Sequence, residues 1–300
     1  MRRIIVVIIL LLLAFFAWIF ITRCDAKLTC TFDQAFPPSE PPAPPPSEPP
    51  PAPPAEPPVE PPPAEPPEPP AEPPVEPPQP PAEPPLTDPA GKTFSFEPPG
   101  ELPANTGDGV KTDTIYAPGM RYPLEAAPSY PNSQVYGHGG GSGPAGSQCD
   151  AANYSYPWRD NFCEKRSWDT SICPSAKGHQ GQDIRPATCK KDVHWAVAAE
   201  AGQITNIGSY TVTLTADSGI RYRYLHMKMN ALAVALGDRV TRGQHLGFVS
   251  NDFGGAATTI HLHFEIKTTV ALPNGTSQIH FAPPYTSLVD SYKRLLKGTP

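Results

Sequence analysis

The sequence predicts a mainly β fold, a compact antiparallel sheet closed by one C-terminal helix, standing behind an N-terminal transmembrane helix and a proline-rich linker. Three observations predict it. From residue 193 onward, short runs rich in β-branched and aromatic residues alternate with turn residues, and residues 287–296 carry Leu288, Val289, Tyr292, Leu295 and Leu296 at helical spacing. Residues 37–85 repeat Glu-Pro-Pro and Ala-Glu-Pro-Pro units, which suit an extended polyproline II or disordered chain and cannot form helix or sheet. Residues 4–22 are uninterruptedly apolar.

At about 1.5 Å per residue, the apolar stretch is long enough to cross a ~30 Å hydrocarbon layer. It exceeds the roughly 7–15 residues of the apolar core of a cleaved leader, which favours retention as an anchor over cleavage after Ala26. Arg23 stands where lipoprotein processing at Cys24 needs a small residue. Arg2, Arg3 and the amino terminus make residues 1–3 a cytoplasmic tip and send everything beyond the anchor out of the cytoplasm. Residues 23–36 form a juxtamembrane segment. At about 3.1 Å per residue the linker spans ~150 Å. Its first reading is a spacer, and a ligand for proline-binding domains is the other.

Residues 86–145 are rich in Pro, Gly, Tyr and Ser without a sustained period, so an irregular extension across the domain surface is expected, followed by the folded domain at 146–300. Within that domain the strand signals fall at 194–199, 203–207, 210–216, 220–227, 244–249 and 260–267. Gly202, Gly208, Asp217-Ser218-Gly219 and Gly237-Asp238 mark turns between them.

The net charge of −6 comes from the linker, which carries nine Glu and no Lys or Arg; from residue 92 on there are 19 basic and 17 acidic side chains. Such balance argues against a nucleic-acid partner. Cys149, Cys163, Cys173 and Cys189 lack the Cys-x-x-Cys spacing of a structural metal site and predict two disulfides in an exported chain. Three pairings are open; one of them, Cys173 with Cys189, would staple the segment between them. Cys24 and Cys30 can pair with each other or across a dimer.

The chemistry concentrates in two short runs. In a strand, His261, His263 and Glu265 share one face while Leu262, Phe264 and Ile266 share the other. A catalytic zinc takes three ligands from His, Asp or Glu and keeps a fourth position for water. His179 and Asp183, with His263, meet that requirement. Gly178 and Gly181 break the His-x-x-x-Asp run, so it belongs on a loop or strand end rather than a helix, and the site on a sheet. Glu265 reads either as a partner that orients a ligand histidine or as a surface carboxylate. His138, in a Gly-His-Gly-Gly-Gly loop, reads as a loop residue, with capping of the metal as its other role. His194, His245 and His280 read as structural or exposed.

Over residues 176–285 the sequence resembles the lysostaphin-like, LytM-type zinc endopeptidases that cut peptide cross-links of bacterial peptidoglycan. The resemblance rests on His179-x-Gly181-x-Asp183, Tyr224-x-His226-Met227, the Gly-Asp-x-Val-x-x-Gly-Gln run at 237–244, and His261-Leu262-His263-Phe264-Glu265. It implies one Zn2+ per chain held by His179, Asp183 and His263, with His226 and His261 as catalytic histidines whose individual roles stay open. It further implies a wall-peptide substrate; an exported, cysteine-containing, proline-tethered enzyme best fits a D-Ala to diaminopimelate bond in a Gram-negative periplasm, and a glycine bridge in another organism is the other target. The chain would then be a single-pass inner-membrane protein, with any cell-wall or divisome protein partner unidentified. Two other classes fit parts of the sequence: a non-enzymatic wall-binding or amidase-activating module of the same fold, and, remotely, a biotinyl or lipoyl carrier modified at Lys228 in the Met227-Lys228-Met229 run.

Overall fold

A computed structural model describes residues 84–300. The expected cytoplasmic tip, transmembrane segment, juxtamembrane segment, nearly all of the linker, and the pairing of Cys24 and Cys30 lie outside the described residues. Among the described residues, no helix is long and apolar enough to cross a membrane.

The strands run in order β1 (Tyr130–Pro131), β2 (Gln182–Arg185), β3 (Trp195–Val197), β4 (Gly202–Ile207), β5 (Thr211–Ala216) and β6 (Arg221–Leu225). They continue with β7 (Arg239–Val240), β8 (His245–Phe248), β9 (Asp252–Phe253), β10 (Ala256–Ala257), β11 (Leu262–Ala271) and β12 (Ser277–Ala282), followed by helix α1 (Tyr285–Leu296). The main sheet has the order β1-β2-β11-β6-β5-β4-β7, with β12 also paired to β11. Every pairing in it is antiparallel. The ten-residue β11 is long enough to hold two neighbours along one edge, β2 beside Leu262–Phe264 and β12 beside Ile266–Ala271. Two small antiparallel sheets are separate from the main one, β3 with β8 and the hairpin β9 with β10.

All six predicted strands are present. The β5–β6 turn falls at Asp217-Ser218-Gly219, where Gly219 takes the positive φ of 89° that a side chain disfavours. Helix α1 begins after Pro284 and ends in a Schellman motif: Gly298 (φ 75°) donates to the Leu295 carbonyl and Thr299 to that of Arg294.

The extension at 86–145 is irregular as expected, but it does not lie across the surface. Phe94, Ala117, Met120, Tyr122 and Leu124 are buried in the main core with Tyr222, Tyr224 and Phe264. The ring contacts of α1 are made with this extension and with Trp158 rather than with strand residues: Tyr292 lies 4.9 Å from Phe94, 5.0 Å from Tyr122 and 4.3 Å from Trp158. The buried Trp158 indole satisfies its N–H at the Ser129 carbonyl, 2.7 Å away. Large aromatic side chains spaced without period thus build a core layer with almost no regular backbone.

Candidate functional site

Strand pairing assembles the site. β2 and β11 are in a register that makes Asp183 the direct cross-strand partner of His263, so both side chains leave the same face of the sheet. His179 precedes β2 in a loop, and Gly181 lets that loop run hard against β11: a Cβ there would stand 2.5 Å from the Phe264 carbonyl oxygen and 2.7 Å from His263 Nε2. On the other side of β11, Leu225 pairs with His263, and His226 follows it at a φ of 67°, an unusual backbone for a non-glycine residue. His261 sits one residue before β11.

All five predicted residues are buried and line one cleft of about 320 Å³. His179 Nε2 lies 2.9 Å from His263 Nδ1 and 3.2 Å from Asp183 Oδ1, and His263 Nδ1 lies 3.0 Å from the same oxygen. These are the three ligand atoms that can share a metal ion. His226 and His261 stand beside them, ring centres 4.7 Å apart, with His261 Nε2 3.4 Å from Asp183 Oδ1.

The outward-facing atoms of the triad show what its inward-facing atoms are. His179 Nδ1 meets the Asn161 carbonyl oxygen at 3.0 Å, an acceptor, so Nδ1 carries the proton and Nε2 a lone pair. His263 Nε2 donates to Glu265 Oε1 at 3.0 Å, leaving its lone pair on Nδ1. Asp183 Oδ2 accepts from Asn161 Nδ2 at 2.9 Å, leaving Oδ1 to the centre. With His263 deprotonated at Nδ1, as a metal ligand must be, three lone pairs converge on one point. Ligands 2.0–2.2 Å from a tetrahedral zinc lie about 3.3 Å apart, close to the separations here, and two imidazoles with a carboxylate are a zinc donor set. The residues fit the metal.

The electrostatics agree. Burial alone would raise the Asp183 pKa, but His179 and His261 outweigh it and hold the carboxyl well below its ordinary range. Burial lowers the His263 pKa, yet hydrogen bonds to Asp183 and Glu265 overcome that and lift it to about 9, so a proton on Nδ1 bonds to Asp183 until a metal ion displaces it. Burial first, then His261 and His263, push His226 down to about 2.

Glu265, read two ways from the sequence, is buried and bridges His263 to the Arg223 guanidinium. Asn161 had no signal in the sequence. It bonds two of the three ligands and accepts from the Asp183 backbone N–H at 3.2 Å. Its segment also clamps the His179 loop, through Cys163 N to the His179 carbonyl and His179 N to the Glu164 carbonyl. The bridges are Cys163–Cys173 and Cys149–Cys189, so the considered Cys173–Cys189 staple does not form. Instead the Cys163–Cys173 bridge secures the clamping segment, and the metal loop is held by backbone hydrogen bonds. Tyr210, Trp168, Phe253 and Arg166 complete the cleft wall.

The remaining histidines stay outside the cleft. His138 lines a separate cavity with Asn153 and Asp160, and its backbone is held by the Asn153 side chain, so it does not cap the triad. His245 binds Glu125 and stacks on Trp195, and His194 bonds Thr188. His280 packs beside Phe281. Lys228 follows the buried Met227, opens a short 3-10 turn and pairs with Asp192 at 3.3 Å.

A sheet floor carrying two imidazoles and a carboxylate, with two further histidines over the same cleft, defines a metal site of the hydrolytic type. Residues 177–277 match the sequence model of Peptidase family M23, which bears out the LytM-type resemblance over that third of the chain. No protein of curated function matches. Among solved structures, a Ruminococcus gnavus protein described as a glycyl-glycine endopeptidase LytM is 24% identical, with a TM-score of 0.33, covering 47% of this chain and 57% of its own. A zinc-containing peptidase from Vibrio cholerae is 22% identical, with a TM-score of 0.25, over 34% and 29%. The catalytic domain of lysostaphin from Staphylococcus simulans is 22% identical, with a TM-score of 0.28, over 40% and 89%. The chain thus spans little more than half of the first of these and under a third of the second.

Proposed function

We propose that this chain is a membrane-anchored zinc endopeptidase that hydrolyses peptide cross-links of bacterial peptidoglycan, with a D,D bond as its target. The convergence of three lone pairs from His179, Asp183 and His263, each with its outer atom already engaged, carries the reading. His179, Asp183 and His263 hold the metal; Asn161 and Glu265 fix their orientation and tautomers. Bound zinc supplies Lewis acidity, polarising the scissile carbonyl and acidifying a coordinated water.

The two remaining histidines divide the proton traffic. His226 spends Nδ1–H on the Asp252 carbonyl at 2.8 Å, so in its neutral form it turns a lone pair to the cleft and accepts a hydrogen bond that orients the attacking water. His261 also spends Nδ1–H on a carbonyl, that of Thr259 at 2.8 Å, and its Nε2 stands in the cleft 3.4 Å from Asp183 Oδ1. It is placed to steady the oxyanion and pass a proton to the leaving amine. Anchoring by residues 4–22, with the catalytic region on the far side of the inner membrane, accords with the two disulfides, which form in oxidising compartments.

The test is digestion of purified peptidoglycan by the full chain, with zinc measured in parallel. Loss of cross-linked dimers is expected, abolished together with zinc in His263→Ala. His226→Ala should keep zinc and lose about 10²–10⁴-fold in turnover. Bound zinc without cleavage of any cross-link, or full activity in His226→Ala, would overturn the mechanism.

A further inference from the structure

The sheet face that carries the triad does not end there. Register extends it as two parallel rows: Glu265 beside Arg223 beside Thr213, and Lys267 beside Arg221 beside Thr215. The opposite faces of these strands are core, with Leu214, Tyr222, Phe264 and Ile266 fully buried. The polar face is open and forms a groove of about 540 Å³ lined by Arg221, Arg223, Lys267 and neighbouring Thr and Asn side chains. Arg223 lines both this groove and the cleft, so the two adjoin at its side chain.

The charges of the groove are unbalanced. Arg221 and Lys267 are direct cross-strand partners, a like-charge pairing that costs stability. The acid on these rows, Glu265, has one oxygen on His263 and the other on Arg223. Lys267 rests its ammonium 4.4 Å from the centre of the Phe281 ring, and among the described residues neither it nor Arg221 has an ion pair. Burial, then Arg223, lower the Lys267 pKa; Glu265 pulls the other way and Arg221 adds to the lowering, as expected where cations outnumber the acid.

We propose that Arg221 and Lys267 form a carboxylate-binding subsite for an acidic peptide lying along the sheet with its scissile bond at the triad; this rests on the endopeptidase reading above. Lys267 is four residue steps along β11 from His263, about 13 Å at about 3.3 Å per residue, so the bound carboxylate stands three to four residues from the reacting bond of an extended substrate. The Thr213 and Thr215 hydroxyls add donors, and the Arg221 guanidinium supplies a planar fork matched to a carboxylate.

The experiment measures equilibrium binding of two synthetic wall stem-peptide dimers to the full chain under chelation, one with free carboxylates and one with those groups as carboxamides. The carboxylate form should bind about tenfold tighter, roughly 1.4 kcal/mol, and about 0.5 M salt should erase much of that gain. In Arg221→Gln/Lys267→Gln the difference should fall below about twofold, while the melting temperature should not drop, since a like-charge pair has been removed. Equal binding of both peptides to the parent chain, or a preference that survives in the double variant, overturns the subsite. Competition by inorganic polyphosphate as strong as that by the carboxylate peptide overturns the peptide assignment in favour of a general polyanion surface. Cleavage without preference sinks the subsite alone; preference without cleavage on zinc loading sinks the endopeptidase reading and leaves an acidic-peptide binding groove.

Discussion

Asp160 and Asp183 are both buried, and Asn161 lies between them, following one in sequence and bonding the other in space. Their carboxyls nevertheless respond to burial in opposite ways. Around Asp160, burial dominates; the backbone N–H groups of Phe162, Gly100 and Asn161 pull against it, and the pKa still rises to about 6. Around Asp183, burial is outweighed by His179 and His261, and the pKa falls well below the usual carboxylate range. Burial alone does not decide what an acid does; the company of cations does. Asp160 ties the irregular segments at 100 and 162 to each other through neutral donors. Asp183 sits among histidines and keeps an oxygen for the centre.

That contrast breaks first at Asp183. Asp183→Asn removes the charge and leaves the histidines without their anion, so zinc retention and turnover should both vanish. Metal analysis and peptidoglycan digestion check this together; full zinc occupancy in the variant would remove Asp183 from the ligand set. Asp160→Asn should act on stability and its pH dependence instead. Because the folded pKa is raised above the ordinary 3.8, the folded state holds the proton more tightly, and the contribution of Asp160 to stability is present at low pH and lost as pH rises from 3.8 through about 6. At about 1.36 kcal/mol per pH unit that loss is on the order of 3 kcal/mol. Urea unfolding of parent and variant at pH 3.5 and pH 7 should show their stability difference changing by that amount, whatever penalty the amide adds at both. A pH-independent difference would mean that Asp160 titrates normally.

The same contrast shows what the sequence could reveal. Strand alternation in His261-Leu262-His263-Phe264-Glu265, and glycines at 178 and 181, put the metal residues on a sheet, because period and turn chemistry are local properties. Of the six predicted strands, β4, β5, β6 and β11 alternate apolar core-facing residues with polar ones, while β3 and β8 are short and largely apolar. β2 has no such pattern, since three of its four residues, Gln182, Asp183 and Arg185, are polar and yet buried, and β12 conceals its pairing because Ile279 is exposed while Phe281, on the same face, is buried. The extension looked like surface because its core residues, Phe94, Met120 and Tyr122, follow no period; their burial is set by tertiary packing alone. Asn161 and the disulfide partners were illegible for a related reason, since nothing in Trp-Arg-Asp-Asn-Phe-Cys announces that this stretch will lie against a loop some eighteen residues away.

Smaller effects sharpen the comparison by testing the groups that hold the Asp183 centre in place. Asn161→Ala should leave Asp183 Oδ2 without its donor, at about 1–3 kcal/mol for an unsatisfied buried group, visible as lower stability and weaker zinc binding. Glu265→Gln is milder because its shape is preserved and a neutral oxygen can still accept from His263 Nε2. What changes is charge: the imidazole loses its carboxylate partner, and Arg223 loses its counter-ion. Second-layer partners of this kind alter metal affinity by about 10–100-fold, and Glu265→Gln should fall toward the lower end. Competitive zinc titration against a chromogenic chelator measures it directly. An affinity loss in Glu265→Gln as large as in Asn161→Ala would mean that charge, rather than fixed tautomer geometry, is the main thing the outer ring of the site provides.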